Sequence, residues 1–409
     1  DARSYFYPSV ATSVLMSEFI QMPKWIDLWK IRGSWTMTKT PLDVYANNLA
    51  YTINNSWGTL SATTPDNLSG SNLLPTTTRT WEFGTAAYLF SKRLHVDIAY
   101  FTKLYYNNQI SQTLAPSSGY ATTLINTKET YARRGVEITL DGTVMKKGKF
   151  IWNSMVNFST QNRYFVDIDP VYSAKNLWTK KGGRKDVLAY TEKALRDPQG
   201  NVIHQGGMPM LSSYTQQYGY TDPNFVFGFI NNFTYGHWTL GISIDGRIGG
   251  KMYDYIYSKM FDTGSNPETD NSHRYDEVVN GLKNYVGNGV KVVSGTATYD
   301  NNGQITSDTR TYAPNDVAVS YQAYARKWGN SYQNGVMNKS FVKVREISLA
   351  YMVPQTWLGK SGIKNASLAL TGQNLFLFTK FKYSDPDVDT ENMNAPAQRM
   401  VGVNVKVGF

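Results

Sequence analysis

Cysteine is absent from the 409 residues of this sequence, which excludes disulfide bonds and thiolate metal sites. Charged residues are scarce, because Asp, Glu, Lys and Arg together make up 18% of the chain, against the roughly 25% of typical soluble domains. Long hydrophobic runs are absent too: Phe225 to Ile230 is far shorter than the ~18–20 residues of a membrane-spanning helix. If this protein crosses a membrane, it must do so as a closed β-barrel, since open sheet edges cannot be satisfied in hydrocarbon.

Aromatic residues are abundant, with 29 Tyr, 18 Phe and 10 Trp. This composition argues against disorder and favours a β-rich fold. The formal net charge of +10 comes from Lys and Arg residues that are scattered singly, so we expect no nucleic-acid binding. Contact with anionic outer-leaflet lipid, or plain solubility, explains this charge equally well.

Apolar and polar residues alternate along many segments, most clearly at the end of the chain. There the apolar positions are Val401, Val403, Val405, Val407 and Phe409. Successive side chains of a strand point to opposite faces, so such a segment has one apolar and one polar face. A half-buried sheet in a soluble protein shows the same pattern, and alternation alone therefore does not decide between the two.

Segment and connection lengths separate these alternatives. We predict eleven strands, at residues 5–16, 25–38, 80–91, 93–106, 131–141, 149–165, 225–235, 237–248, 341–353, 365–378 and 400–409. Most reach the ~9–11 residues that cross a bilayer at a tilt. Short turns near 91–92, 146–148 and 235–237, with a moderate one at 354–364, alternate with long loops at 39–79, 107–130, 166–224, 249–340 and 379–399. Outer-membrane barrels have this asymmetry, with short periplasmic turns and long extracellular loops.

Several local motifs, in chain order, resemble SusC-like (RagA-like) TonB-dependent transporters of Bacteroidota. Gly135 to Leu140 matches the family's GVELTL, and Trp29 to Trp35 is similar to its LKLRASYG strand. Ser340 to Pro354 and Gly372 to Pro386 resemble later motifs. Each motif by itself is weak, whereas the ordered series covers nearly the whole chain. Two departures, Thr36 to Lys39 and Thr76, leave the fold assignment unaffected.

The resemblance implies a transmembrane antiparallel β-barrel of 22 strands, plugged by an N-terminal domain. Our eleven strands are half of that number, so residues 1–409 are interpreted as the C-terminal half of the barrel. The plug, its energy-coupling segment and the first half of the barrel are absent from this sequence. Because half a barrel has two unpaired edges, we expect an N-terminal portion or a companion polypeptide to complete the ring.

The resemblance also implies a function: active import of oligosaccharides or oligopeptides across the outer membrane of a Gram-negative bacterium, driven through TonB. A SusD-like surface lipoprotein would close over the extracellular mouth. The family is not enzymatic, and no cofactor is implied. A passive outer-membrane channel or a surface-binding barrel remains the alternative, because large loops suit both.

The end of the chain carries a further expectation. The terminal Phe409 matches the outer-membrane assembly signal that the resemblance implies, with Val403, Val405 and Val407 facing lipid. We expect the strand at 365–378 to be the neighbour of this last strand on one side. On its other side, it would pair with the first strand of the missing half.

An acidic cluster in the last long loop is a candidate metal site. Its members are Asp385, Asp387, Asp389 and Glu391. Hard cations such as calcium need several convergent oxygens, which these carboxylates could supply. EF-hand spacing and the loop glycine are missing, so a solvated loop or a docking contact stays open beside calcium.

Two further sets of residues suggest chemistry. His95 and Asp97 share a strand face, and a His–carboxylate pair could orient a general base in a barrel hydrolase, although no nucleophile is identifiable beside it. Aromatic loop residues could instead stack on sugars or hold peptides, or simply pack the loops together. These candidate substrate-binding residues are Trp57, Trp178, Tyr218, Tyr220 and Trp328.

Overall fold

The computed structural model describes residues 4–43, 50–69, 72–359, 362–381, 383–387 and 396–409. These residues form mainly β-strands, the longest of which belong to a single antiparallel sheet of eleven strands. Within the described ranges, no helix has the length and apolar character needed to cross a membrane.

The eleven strands follow one another in the sheet in chain order. They are β1 (Ser9–Leu15), β2 (Ile26–Thr40), β3 (Thr76–Leu89), β4 (Leu94–Tyr106), β5 (Thr130–Lys147), β6 (Phe150–Asp167), β7 (Phe225–Tyr235), β8 (Trp238–Ile248), β9 (Phe341–Met352), β10 (Asn365–Thr379) and β11 (Met400–Gly408). All eleven predicted strands are present, and the predicted strand architecture is confirmed. Ten of them have 9 to 18 residues, the length range of strands that cross a bilayer.

The predicted alternation of connections is also confirmed. Residues 90–93, 148–149 and 236–237 form short links and a moderate connection joins β9 to β10, while long segments connect β2 to β3, β4 to β5, β6 to β7, β8 to β9 and β10 to β11. Some strand limits differ from the prediction. The first strand is shorter, and β5 continues to Lys147 because the tight turn uses only Gly148 and Lys149, with Gly148 at a φ of 56°.

Two compact units make up the chain. One comprises Asp1–Leu140 and Gln161–Lys185, and the other comprises Asp141–Thr160 and Asp186–Phe409. Strands β5 and β6 therefore contribute to both units.

The long connections of the first unit carry their own small elements. A hairpin pairs Thr52–Ser56 with Thr59–Thr63. A three-stranded sheet joins Asn67–Leu68, Gln109–Thr113 and Thr122–Asn126. The short helix α1 (Met16–Phe19) lies between β1 and β2, and a 3₁₀ turn covers Pro116–Ser118.

The long connections of the second unit contain most of the helices. These are α2 (Tyr255–Thr263), α3 (Ser272–Asn280), α4 (Tyr321–Gly329) and α5 (Tyr332–Gly335), with α6 (Gln355–Leu358) after β9 and a 3₁₀ turn at Pro267–Thr269. Short strands here are Val187–Tyr190, Ile203–Gln205, Met208–Pro209, Gln216–Tyr220, Lys251–Tyr253, Val290–Ser294, Ala297–Tyr299, Ile305–Asp308, Thr311–Pro314 and Val336–Asn338. Side chains cap α2, α3 and α4 at Asp254, Asn271 and Ser320, as helix starts require.

Strand β11 pairs with β10 as predicted, from Asn365 opposite Gly408 to Gln373 opposite Met400. The predicted lipid-facing residues are highly exposed, with Val403 and Val405 at 65% and 67% of their surface. Leu370 and Leu368 lie directly opposite them on β10 and are exposed as well. Because soluble proteins rarely leave so continuous an apolar face in water, this face is suited to lipid.

Candidate functional site

A group of charged side chains lies on the polar face of β8 and β9. Asp245 is paired in register with Lys343, and Arg345 follows two residues later. A β-bulge at Arg345 leaves it without a register partner on β8 and directs its guanidinium to Asp245, with Nε 2.7 Å from Oδ1. One carboxylate and two cations thus lie close together on β8 and β9.

The last long connection returns to this charged face. Lys343, at 2% exposure, donates from Nζ to Asp385 Oδ2 at 2.9 Å and to Asp387 Oδ2 at 3.0 Å. Arg345 Nη1 lies 2.6 Å from the same Asp387 carboxylate, and Arg247 Nη2 donates to the Asp387 carbonyl at 2.9 Å. We call Asp245, Arg247, Lys343, Arg345, Asp385 and Asp387 the charge network.

Burial alone would raise the pKa of Asp387, but hydrogen bonds from Arg345 and Lys343 outweigh it and hold the pKa below its ordinary value. The buried Phe341 ring lies beside the same cations, with Arg247 5.0 Å and Lys343 5.7 Å from its centroid. The network therefore pairs each of its carboxylates with at least one cation and holds the pKa of Asp387 down.

The candidate metal residues divide between this network and the rest of the loop. Asp385 and Asp387 bind Lys343, whose ammonium group occupies oxygens that a cation would need. Asp389 and Glu391 lie outside the described residues. Where the structure describes the chain, no three His, Asp or Glu residues are grouped so that they could hold a metal ion. Calcium binding at this loop stays an untested prediction.

The His95–Asp97 pair has a different arrangement from that of a catalytic dyad. Both Asp97 oxygens accept hydrogen bonds from Arg32 on β2, each at 2.8 Å. His95 instead stacks on Tyr88, with ring centroids 4.6 Å apart. Because Arg32 occupies both carboxylate oxygens, Asp97 is positioned to neutralise a guanidinium rather than to orient an imidazole.

Tyrosine rings pack the long connections of the second unit together. Tyr190 stacks on Tyr332 at 4.2 Å, and Tyr253 and Tyr218 lie 5.8 and 6.2 Å from Tyr190. Burial raises the pKa of Tyr218 to about 12, and its hydroxyl donates to the Thr191 carbonyl. Tyr218 thus packs among these rings, and a role for it in substrate binding stays a prediction.

The other aromatic candidates are placed differently. Trp328, at the end of α4, is half-buried, and its carbonyl accepts from Ser331 Oγ at 2.6 Å. Tyr220 is 39% exposed. In the first unit, Trp178 is half-buried, whereas Trp57 is fully exposed at the tip of the hairpin.

A cleft between α2, α3 and α4 was not predicted from the sequence. It has a volume of about 470 Å³ and is lined by charged and apolar side chains that include Phe261, Arg274, Glu277, Tyr321 and Arg326. Burial would raise the pKa of Glu277, but hydrogen bonds from Ser320 Oγ and the Gln322 amide hold it below its ordinary value. These residues are far apart in sequence, so no local pattern points to the cleft.

Comparison with known proteins finds no matching family model. Among curated proteins, TonB-dependent receptor P3 of Formosa agariphila is 21% identical over 95% of this chain, and receptor P26 of the same organism is 22% identical over 99%. In sequence, this chain is thus similar to TonB-dependent receptors. It spans 39% and 41% of the lengths of those two proteins.

Solved structures show the same fold. The RagAB peptide importer in its open-open state matches the whole chain with a TM-score of 0.69 at 16% identity, and a second RagAB peptide transporter structure gives 0.68. In each case this chain covers 43% of the matched chain. The predicted resemblance to RagA-like TonB-dependent transporters and the predicted outer-membrane location are therefore confirmed.

Proposed function

We propose that this chain is the C-terminal half of the barrel of a TonB-dependent importer. The whole transporter would take up oligosaccharides or oligopeptides together with a SusD-like surface lipoprotein. One observation carries the proposal: eleven sequentially paired strands whose connections alternate strictly between short and long. Relatives that are TonB-dependent receptors support the energy source, and a fold shared with a peptide importer supports the direction of transport.

The terminal strands support the assignment to half a barrel. Among the described residues, β1 pairs only with β2, and β11 pairs only with β10. An unpaired strand edge is costly in hydrocarbon, so each of these strands requires a partner from elsewhere. In the proposed transporter, the missing half supplies both partners. The polar strand faces, with the charge network and the Arg32–Asp97 pair, would line the passage.

Expression of separate halves tests this assignment. We expect the chain alone to yield no detergent-stable folded monomer, whereas coexpression with the N-terminal half of the whole protein yields a stable barrel. Migration on gels with and without heating distinguishes the folded from the unfolded form. A folded, stable monomer of this chain alone would refute the assignment.

Uptake by cells tests the transport activity. We expect a strain that lacks the whole transporter to lose uptake of one class of labelled oligomer, peptide or glycan, and the intact gene to restore it. A protonophore should abolish the restored uptake, because TonB-driven transport depends on the proton gradient. Uptake that persists with the protonophore would instead indicate a passive channel.

A further inference from the structure

The side chain of Asp254 is fully buried at the start of helix α2. Its Oδ1 accepts a hydrogen bond from the Tyr257 amide at 3.0 Å and so caps the helix. The main chain is fixed as well, because the Asp254 amide donates to the Gly335 carbonyl at 2.7 Å. The carboxyl group is therefore held in a defined position inside the second unit.

The other carboxyl oxygen, Oδ2, is enclosed without a hydrogen bond. It is inaccessible to solvent and has no hydrogen-bond partner among the described residues. An ionised oxygen in such a place is unfavourable, because the hydration that it loses on folding is not replaced. Since this chain itself encloses the atom, a partner from outside the chain cannot reach it without rearrangement.

A second enclosed oxygen lies beside this carboxyl group, in the last long connection. Ser384 is close enough to Asp254 to affect its pKa, yet Ser384 Oγ is also buried without a hydrogen bond of normal geometry among the described residues. The neighbouring Tyr383 ring stacks on Tyr257 of α2, with centroids 6.4 Å apart. Two unsatisfied oxygens therefore meet where the last connection packs against the start of α2.

The surroundings of Asp254 favour its neutral form. Burial raises the pKa of Asp254 above its ordinary value, although the Tyr257 and Ile256 amides and the Ser384 hydroxyl act in the opposite direction. In the described part of the chain, none of the groups that act on this pKa is a cation. Asp254 thus lacks the kind of partner that keeps a buried carboxyl group ionised.

The ionisable groups around this site are tyrosines and one ion pair. Tyr257 lies on α2 itself, and Tyr383 faces it from the last connection. Asp385 follows Ser384 directly, and its carboxylate is paired with Lys343 Nζ at 2.9 Å. From the side of α5, Asp254 meets the uncharged Gly335 carbonyl. The last connection therefore has one ionic contact, at Asp385, and one contact that lacks a hydrogen atom to share.

We propose that Asp254 is a proton-binding site whose protonated carboxyl group donates to Ser384 Oγ, so that mild acid fastens the last long connection to the start of α2. A carboxylic acid is a donor and a hydroxyl oxygen is an acceptor, so one proton satisfies both enclosed oxygens and removes the buried charge. The source of the proton rests on the proposed function, which places the long connections at the cell surface, in contact with the medium.

The direction of the pH effect follows from the raised pKa of Asp254 in the folded state. The stabilisation from the bound proton is complete below the ordinary pKa of ~3.9 and is lost as the pH rises through the pKa of the folded state. This contact should therefore tighten in acid, which would weaken a contact that depends on an ionised carboxylate.

Hydrogen exchange of the purified whole transporter measures the fastening. The peptide that covers residues 383–387 includes the Asp387 amide, which donates to Asp385 Oδ1 at 3.0 Å. We expect protection of this peptide to increase about fivefold as the pH falls from 7 to 4, after correction for intrinsic rates. Unchanged or decreasing protection would overturn the proposal.

Two substitutions separate the proton from its acceptor. Asp254→Asn keeps an oxygen for the Tyr257 amide and offers a side-chain N–H to Ser384 Oγ at every pH, so protection should stay at its acid level from pH 7 to 4. Ser384→Ala removes the acceptor and should abolish the increase. Asp270→Asn, at an exposed site, is the matched control and should retain the wild-type response. A wild-type response in Asp254→Asn or in Ser384→Ala would refute the contact.

Infrared difference spectroscopy observes the proton itself. The spectrum of the wild-type transporter minus that of Asp254→Asn should show the carbonyl band of a protonated carboxylic acid at pH 4 and the bands of an ionised carboxylate at pH 8. We expect the midpoint between the two forms to lie above the ordinary ~3.9. A midpoint at or below that value would show that Asp254 binds a proton no better than an exposed carboxyl group does, and the inference would fail.

These measurements need no substrate, surface lipoprotein or proton gradient, so their outcome is separate from that of the uptake experiments. If uptake experiments refute the importer while the exchange and infrared results hold, Asp254 remains a proton-binding site and only the source of its proton is reopened. If the importer is confirmed and Asp254→Asn keeps the wild-type response, this inference alone is refuted.

Discussion

Lys343 Nζ lies 2.9 Å from Asp385 Oδ2, although 42 residues of sequence separate the two side chains and both are buried. The contact joins strand β9 of the sheet to the last long connection. A buried ammonium group between two carboxylates is stable only while all three charges are present, because each would otherwise lack compensation for its lost hydration. The charge network thus holds Asp385 and Asp387 against strand β9.

Replacing Lys343 with Met should release the connection. The change leaves the buried Asp385 carboxylate without its cation, at a cost of about 3–5 kcal/mol, while the half-buried Asp387 keeps Arg345. The amides of Asp387 and Ala397, which donate to Asp385, should then exchange with solvent about 100-fold faster or more. Lys364→Met, at an exposed site, is the control, and equal exchange in both variants would contradict this account.

Asp169 should make the first unit sensitive to acid. Burial alone would raise the pKa of Asp169, but hydrogen bonds outweigh it and lower the pKa to about 2. These bonds come from the amides of Lys128, Val171 and Tyr172 and from Thr127 Oγ1. Because the pKa in the folded state lies below the ordinary ~3.9, the stabilisation is complete above about pH 4 and is lost as the pH falls through about 2.

Hydrogen exchange of the Val171 and Tyr172 amides measures this effect. Protection should be constant from pH 7 to 5, after correction for intrinsic rates, and should fall between pH 4 and 2. Asp169→Asn should remove this step, because the amide does not titrate. A step of the same size in the variant would show that another group is responsible.

The buried His204 should make the second unit less stable in mild acid. Its Nε2 lies 3.0 Å from the Tyr324 hydroxyl and its Nδ1 3.1 Å from the Val202 carbonyl, and it is 1% exposed. Burial lowers the pKa of His204, so folding favours the neutral ring. This contribution to stability is complete above the ordinary pKa of ~6.5 and is lost as the pH falls below it.

Tyr324→Phe tests the same contact without a change of pH. It leaves a buried ring nitrogen unsatisfied and should cost about 1–3 kcal/mol, measured by thermal unfolding of the whole protein. Tyr275→Phe, at a residue that is 60% exposed, should be neutral. Equal losses in the two variants would argue against a role for the His204 hydrogen bond.

His95 and Asp97 should differ in their effects when replaced. Asp97→Ala leaves the Arg32 guanidinium without its bidentate partner and should reduce stability by about 1–3 kcal/mol. His95→Ala removes only a ring that stacks on Tyr88 and should leave uptake unchanged. Abolished uptake in His95→Ala, with normal levels of folded protein in the membrane, would revive the hydrolase alternative.

The strands and their connections were predictable from the sequence because their signals are local. Alternation from Val401 to Val407 requires only that successive side chains point to opposite faces, and the structure places these residues on one exposed face. Strand boundaries were less accurate. The sequence around Lys146 does not show that strand hydrogen bonding continues to the turn, since that depends on the neighbouring strand.

The ordered motifs from Trp29 to Pro386 determined the relationship to TonB-dependent receptors, since they depend only on residue type and order. Only the tertiary structure decided the partners of the charged and aromatic residues. Asp97 binds Arg32 across 65 residues and Asp385 binds Lys343 across 42, so sequence proximity suggested the wrong neighbours for both. Such contacts depend on strand register and on the return path of a long loop.

For the same reason, Tyr218 and Trp57 were equivalent candidates in the sequence but differ in burial in the structure. Tyr218 packs between loops, whereas Trp57 is fully exposed.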